Sequence, residues 1–207
     1  MIASRHSVKL RPLATVAAVA MLASCSGGGG QWHATNVSGS VPDLSLSLTR
    51  AGDGKAVDAG DYRGKVVALY FGYTYCPDVC PMTLSNMAQA VRTLGPAAKD
   101  VRVLFVTVDP NRDTPAVLSQ YVKAFGPDFE GLYGTADQLA RVAKRYRVAY
   151  SVTPSPDPAK YEVTHSSALY VFDKQGNARL LVSSLSSDKP DIKGTTADLK
   201  RLVGEKD

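Results

Sequence analysis

A chain of 207 residues accommodates one domain plus additional segments, and a composition of 44% apolar and 21% charged residues is that of a globular protein with a real core. The formal charge of +5 is unevenly placed: Arg5, Lys9 and Arg11 lie in the first 24 residues, which hold no acid, and without them 21 basic residues face 19 acidic ones. The rest of the chain therefore lacks the basic excess that nucleic-acid binding requires, and that class of function is excluded.

The chain opens as a targeting segment. A basic start precedes the apolar stretch Leu13 to Leu22, which is too short to span a bilayer and fits the h-region of a signal peptide. Leu22-Ala23-Ser24-Cys25 follows, small residues ahead of a cysteine, and resembles the lipobox of bacterial lipoproteins. That resemblance implies a signal peptide over residues 1–24, cleavage before Cys25 and a lipid on its sulfur. Ser26 and Gly27 to Gly30 read as a flexible tether that continues to residue 40, with the folded domain over 41–207.

From Val41 the pattern becomes globular. Leu44, Leu46 and Leu48 alternate with polar residues as in a half-buried strand, and Gly52-Asp53-Gly54-Lys55 reads as a hairpin turn. Val66 to Phe71 is a continuous apolar run, the mark of a strand covered on both faces. Leu84, Met87, Ala88, Val91 and Leu94 recur at helical spacing, and Val101 to Val108 is a second buried strand. Asp113-Thr114-Pro115 starts a helix with a capping side chain, for which Asp113 is the expected cap, and a proline in the first turn. Thr135 and Gln138 form a capping box ahead of Leu139, Val142, Ala143 and Tyr146. After a Pro-rich surface loop from Thr153 to Pro158, Ala168 to Phe172 is a third buried strand. A turn at residues 173–177 leads into Leu180-Leu181-Val182, and a last helix carries Leu199, Leu202 and Val203. The order β-β-α-β-α-α-β-β-α predicts an α/β fold, a mixed central sheet flanked by helices with an N-terminal β-hairpin. No internal repeat is visible.

Cys76-Pro77-Asp78-Val79-Cys80-Pro81 sits between the first buried strand and the first long helix. A dithiol at that junction points to a thioredoxin-like fold. Of three cysteines, setting Cys25 aside for the lipid leaves Cys76 and Cys80, and a disulfide closing so small a loop would constrain the unfolded chain little. The pair reads as chemistry. Sulfurs near a helix N-terminus should have lowered pKa values, and the thiolate is both nucleophile and metal ligand. Two thiolates favour soft ions, Cu(I) or zinc. Of three histidines, His6 lies in the signal segment and His33 in the linker, which leaves His165 at the entrance to the third buried strand. A Cys2His set suits three-coordinate Cu(I) and is one ligand short of a closed zinc site, which Asp78 would complete. Asp78 alternatively supplies favourable charge at the helix start. Asp109-Pro110 reads as a turn, and Tyr70, Tyr73 and Tyr75 as core and pocket wall.

The segment Phe71-Gly72-Tyr73-Thr74-Tyr75-Cys76-Pro77-Asp78-Val79-Cys80-Pro81 resembles the signature of the Sco/SenC proteins, copper chaperones for cytochrome c oxidase. Val108 to Pro115 resembles that family's second block, and Val163-Thr164-His165-Ser166 its distal histidine segment. The resemblance implies a thioredoxin-like domain that binds one copper, Cu(I) or Cu(II), through Cys76, Cys80 and His165. It implies a metallochaperone rather than an enzyme. The copper-centre subunit of the oxidase would be its partner, with another copper chaperone or a thiol reductase upstream. Its place would be the bacterial cell envelope, lipid-anchored on the outer face of the cytoplasmic membrane. The same resemblance allows reduction of the oxidase cysteines, so a thiol–disulfide oxidoreductase is the alternative reading, with Asp109 and Asp113 shaping the loop near the site or facing a partner. Thr74-Tyr75-Cys76 also resembles the Thr-x-x-Cys turn of peroxiredoxins, and a purely structural disulfide is the remaining reading.

Overall fold

The computed structural model describes Met1, residues 31–157 and residues 161–206. Apart from Met1, the expected signal peptide, the lipidation site Cys25 and the glycine run to Gly30 lie outside the described residues, as does Pro158. The described residues from Trp32 onward form one compact unit. No helix among the described residues is long and apolar enough to cross a membrane.

At its centre is β4 (Val66–Gly72), whose seven residues are all buried, flanked by β5 (Val101–Thr107) in parallel and β9 (Leu169–Phe172) in antiparallel pairing. β6 (Phe129–Tyr133) extends the parallel side, followed by the hairpin of β2 (Ser47–Arg50) and β3 (Ala56–Asp58). On the other side lie β10 (Ala178–Val182) and the short β1 (Thr35–Asn36). The order β1-β10-β9-β4-β5-β6-β2-β3 is a mixed eight-stranded sheet. Helices α1 (Val79–Thr93) and α4 (Ile192–Gly204) pack on each other, α2 (Pro115–Lys123) covers β6, and α3 (Ala136–Arg145) reaches β2. The α/β sandwich and its N-terminal hairpin match the expectation.

A separate two-stranded sheet, β7 (Tyr150–Thr153) with β8 (Glu162–His165), flanks the segment predicted as a Pro-rich loop, and among the described residues of that segment only Thr153 is in a strand. Its register sets Tyr150 opposite His165.

Three local expectations change. Residues 32–40 are not linker: Thr35 and Asn36 pair with Leu181 and Leu180, and the Arg201 guanidinium lies 3.8 Å over the Trp32 ring. The amides of His33 and Ala34 donate to the Asp198 carboxylate, which holds this segment on α4. Asp113 is not the cap of α2; the Thr114 hydroxyl accepts from the Val117 amide instead. β6 has no counterpart among the elements expected from the sequence. The Thr135–Gln138 capping box of α3 is present as predicted.

Candidate metal centre

The centre is built where β4 ends and α1 begins. Pro81 falls in the first turn of α1, where its missing N–H has no intrahelical acceptor to satisfy. Asp78 is the N-cap residue by backbone position, but its side chain makes no capping bond. Cys80 is the second residue of the helix and is 0% exposed, whereas Cys76, in the preceding loop, is half-buried. Both thiols are unbridged.

Gly72 lets the helix start come this close to the strand. A Cβ at that position would meet the Cys80 sulfur at 2.8 Å and the Phe105 ring at 2.8 Å. A glycine closing an otherwise all-apolar strand is the sequence signal for such an approach, and it stands four residues ahead of the dithiol. The Thr74 turn is pinned from the other side. Its amide donates to the Asp113 carboxylate at 3.1 Å, and the hydroxyls of Thr74 and Thr107 donate to the same group at 2.6 Å each. Asp113 is only 1% exposed; burial raises its pKa, and these three donors oppose that rise.

His165 ends β8 and turns its ring into the dithiol. Its Nε2 lies 3.1 Å from the Cys80 sulfur, while Nδ1 is 3.0 Å from the Ser166 carbonyl oxygen. A carbonyl can only accept, so Nδ1 carries the proton and Nε2 presents its lone pair to the sulfurs. The rings of Tyr70 and Tyr73 stand edge-on to the imidazole at 5.9 and 5.7 Å, and so act as walls of the site, as the sequence predicts. Tyr75 departs from that reading: it is 58% exposed. Tyr73, Cys76, Pro77, Val163, His165 and Ser167 line a cleft of about 290 Å³ that leaves Cys76 open to solvent.

The two thiols are electrostatically opposite. The Cys80 thiol donates towards the Cys76 sulfur, and this bond, with the amides of Cys80 and Asp78, holds Cys76 down to about 3 against the burial that opposes it. The same bond, with burial, drives Cys80 upward. Tyr73, buried beside the Cys76 charge, is pushed up to about 12.

Ligand atoms of Cys76, Cys80 and His165 lie within 4.8 Å of one another, and no carboxylate joins them among the described residues. Asp78 is exposed and outside the cluster, so the fourth ligand that zinc would want is not supplied by it. Two sulfurs and one imidazole are a soft, three-donor set, and they fit Cu(I).

Asp109 and Arg112 carry more than the expected turn. Asp109 is 2% exposed and pairs with Arg112, Nε to Oδ2 at 2.5 Å, while the Tyr161 hydroxyl donates to its other oxygen. Sequence reasoning misses Gly72, Arg112 and Tyr161; of its two readings of Asp113, the helix cap fails, and the shaping of the loop near the site is what the Thr74 and Thr107 contacts show.

Comparison with known proteins yields one family. The model of the SCO1/SenC family matches residues 47–203. The mitochondrial SCO2 homolog of Bos taurus is 47% identical over 118 residues, 56% of this chain and 44% of that protein. The chain spans about half the length of the curated relatives it matches. Among solved structures, Bradyrhizobium japonicum ScoI with copper bound superposes with a TM-score of 0.69 at 36% identity, over 78% of this chain and 99% of that one. Apo Sco1 from Thermus thermophilus superposes with a TM-score of 0.74 at 34% identity, over 85% and 99%.

Proposed function

The chain belongs to the SCO1/SenC family, and on that premise we propose that it is a copper-binding metallochaperone serving the binuclear copper centre of cytochrome c oxidase. Its place is the extracytoplasmic face of a bacterial membrane, held there by a lipid on Cys25. The observation that carries this reading is the convergence of two thiols and one imidazole from distant parts of the chain within 4.8 Å. A protein that exchanged disulfides alone would have no need of His165.

Copper is cargo in this reading. Cys76, supplied already as a thiolate, and Cys80 hold it with the His165 Nε2 lone pair. Three donors leave copper short of a closed shell, which gives the thiols of a receiving protein a point of entry. A Cys76–Cys80 disulfide would remove both sulfur ligands, so loading requires the reduced dithiol. A Cu(I) competition titration on reduced protein tests the reading. Cys80→Ser and His165→Ala should each weaken binding by tenfold or more, and parent-like affinity in both would overturn it.

One observation favours a second activity at the same residues: a half-exposed Cys76 held as a thiolate beside a buried Cys80 held as a thiol. Cys76 attacks a partner disulfide and one partner sulfur leaves as a thiol. Cys80, losing its proton, then attacks the Cys76 sulfur, which releases the second partner thiol and leaves the Cys76–Cys80 disulfide. Two electrons pass to the partner, and a thiol reductase must return them. Failure of the reduced protein to open a disulfide peptide that carries the copper-centre cysteines would remove this activity.

A further inference from the structure

The two-stranded β7–β8 sheet carries His165 but forms no ladder with the main sheet. Something other than backbone pairing must hold it over the dithiol. At the C-terminal end of β8, His165 itself meets Cys80 at 3.1 Å. At the other end, Tyr161 precedes the strand, and β8 carries His165 away from it at roughly 3.3 Å per residue.

Arg112 meets that second end. Its Nη1 donates to the Tyr161 carbonyl at 3.1 Å, and its guanidinium lies 3.8 Å over the Tyr161 ring. Its Nε is paired with the buried Asp109, whose other oxygen accepts from the Tyr161 hydroxyl. The same guanidinium lies 5.1 Å from the Tyr75 ring and 5.8 Å from the Tyr73 ring, on the loop that leads into Cys76. Three segments distant in sequence therefore meet on one planar cation: the loop of the first ligand, the Asp109–Asp113 loop and the root of the histidine strand.

We propose that Arg112 is a positioning residue for metal capture, a latch that seats the β7–β8 hairpin so that His165 reaches the two sulfurs. It touches neither the ligand atoms nor the metal. It fixes one end of β8, and the buried Asp109 fixes the fork of Arg112 in turn. Arginine suits the task because a planar fork can pair with a carboxylate, donate to a carbonyl and stack on a ring at once. A lysine ammonium makes only point contacts. The proposal rests on the copper reading above for its consequence, though not for the latch itself.

The test uses the full reduced chain with Arg112→Lys, which keeps a positive charge facing Asp109, and Tyr161→Phe, which keeps the stacked ring and loses one hydrogen bond. Hydrogen exchange without metal should be at least tenfold faster at residues 150–153 and 162–165 in Arg112→Lys, with residues 66–72 unchanged. Tyr161→Phe should show the same pattern more weakly. Cu(I) competition should show a loss of about 10–100-fold for Arg112→Lys, the range for residues that orient a ligand. In a His165→Ala background the same substitution should cost less than about twofold, because the latch acts only through His165. Unchanged hairpin exchange, equal acceleration in the central sheet, or an equal copper loss in both backgrounds would overturn the proposal. If His165→Ala itself leaves Cu(I) affinity at the parent value, the copper-ligand reading fails, and the exchange data still decide whether the latch exists.

Discussion

Cys76 and Cys80 share a side chain and differ in everything around it. The depressed Cys76 contributes stability that is complete above the ordinary thiol value and is lost as pH falls towards about 3. The raised Cys80 contributes stability that is complete below that value and is lost as pH rises past it. Between pH 5 and pH 8 the pair is therefore one thiolate and one thiol. Iodoacetamide should modify Cys76 alone, at a rate nearly independent of pH over that range; a tenfold rise per pH unit, as for an ordinary thiol, would contradict the assignment. Gly72→Ala should cost about 1–3 kcal/mol in urea denaturation, since the new methyl overlaps the Cys80 sulfur and the Phe105 ring. The three residues that converge at the site, Cys76, Cys80 and His165, are legible in the sequence because cysteine and histidine are scarce in this chain and the rest can be set aside by position. Asp113 is legible only through the family resemblance, and Gly72, Arg112 and Tyr161 are not, because each acts through a contact that only the folded chain creates.

Elements are legible where their patterns are local. The all-apolar β4 and β5 and the Thr135–Gln138 box announce themselves within a few residues. β6 does not, because Phe129-Glu130-Gly131-Leu132-Tyr133 carries an acid and a glycine in a short run. Glu130 is accommodated by Tyr62, Arg50 and Arg102, and Gly131 leaves room for Leu118 of α2, whose Cγ would lie 2.6 Å from a Cβ there. The sequence sets the cap of α2 one residue early for a related reason: Asp113 is a good cap by type, but the buried loop claims its carboxylate. Thr114→Ala should cost about 1 kcal/mol, the usual worth of a cap. Asp113→Ala strands three donors at about 1–3 kcal/mol for each one left unsatisfied, so it should cost more than Thr114→Ala in the same denaturation series. The reverse ranking would restore Asp113 as the cap. At the end of α3, Arg147 sits at φ 54, in the left-handed region. Arg147→Gly should relieve that conformation and raise stability by up to about 1 kcal/mol, read from the same denaturation midpoints.

At the scale of the molecule, the proposed ligands come from β8, from the loop before α1 and from the first turn of α1, so metal capture would join the hairpin to the main body. Binding to the folded state alone should therefore stabilise the whole domain, by about 2.7 kcal/mol at a hundredfold excess over Kd. Calorimetry should show Tm rising by roughly 5–10 °C with Cu(I) on the reduced protein. Oxidising the dithiol should abolish the shift; its persistence would place the metal elsewhere.

The two residues of β1 have a consequence out of proportion to their length. They are the outermost members of the sheet and occupy the side of β10 that no other strand covers. A fragment begun at Val41, where the hydrophobic pattern alone starts the domain, would lose them together with the Trp32 clamp. The free amides and carbonyls of β10 would then offer a template for the same strand of a second copy. Such a fragment should self-associate more strongly in sedimentation experiments than one begun ahead of Trp32, and the added association would be a product of the cut.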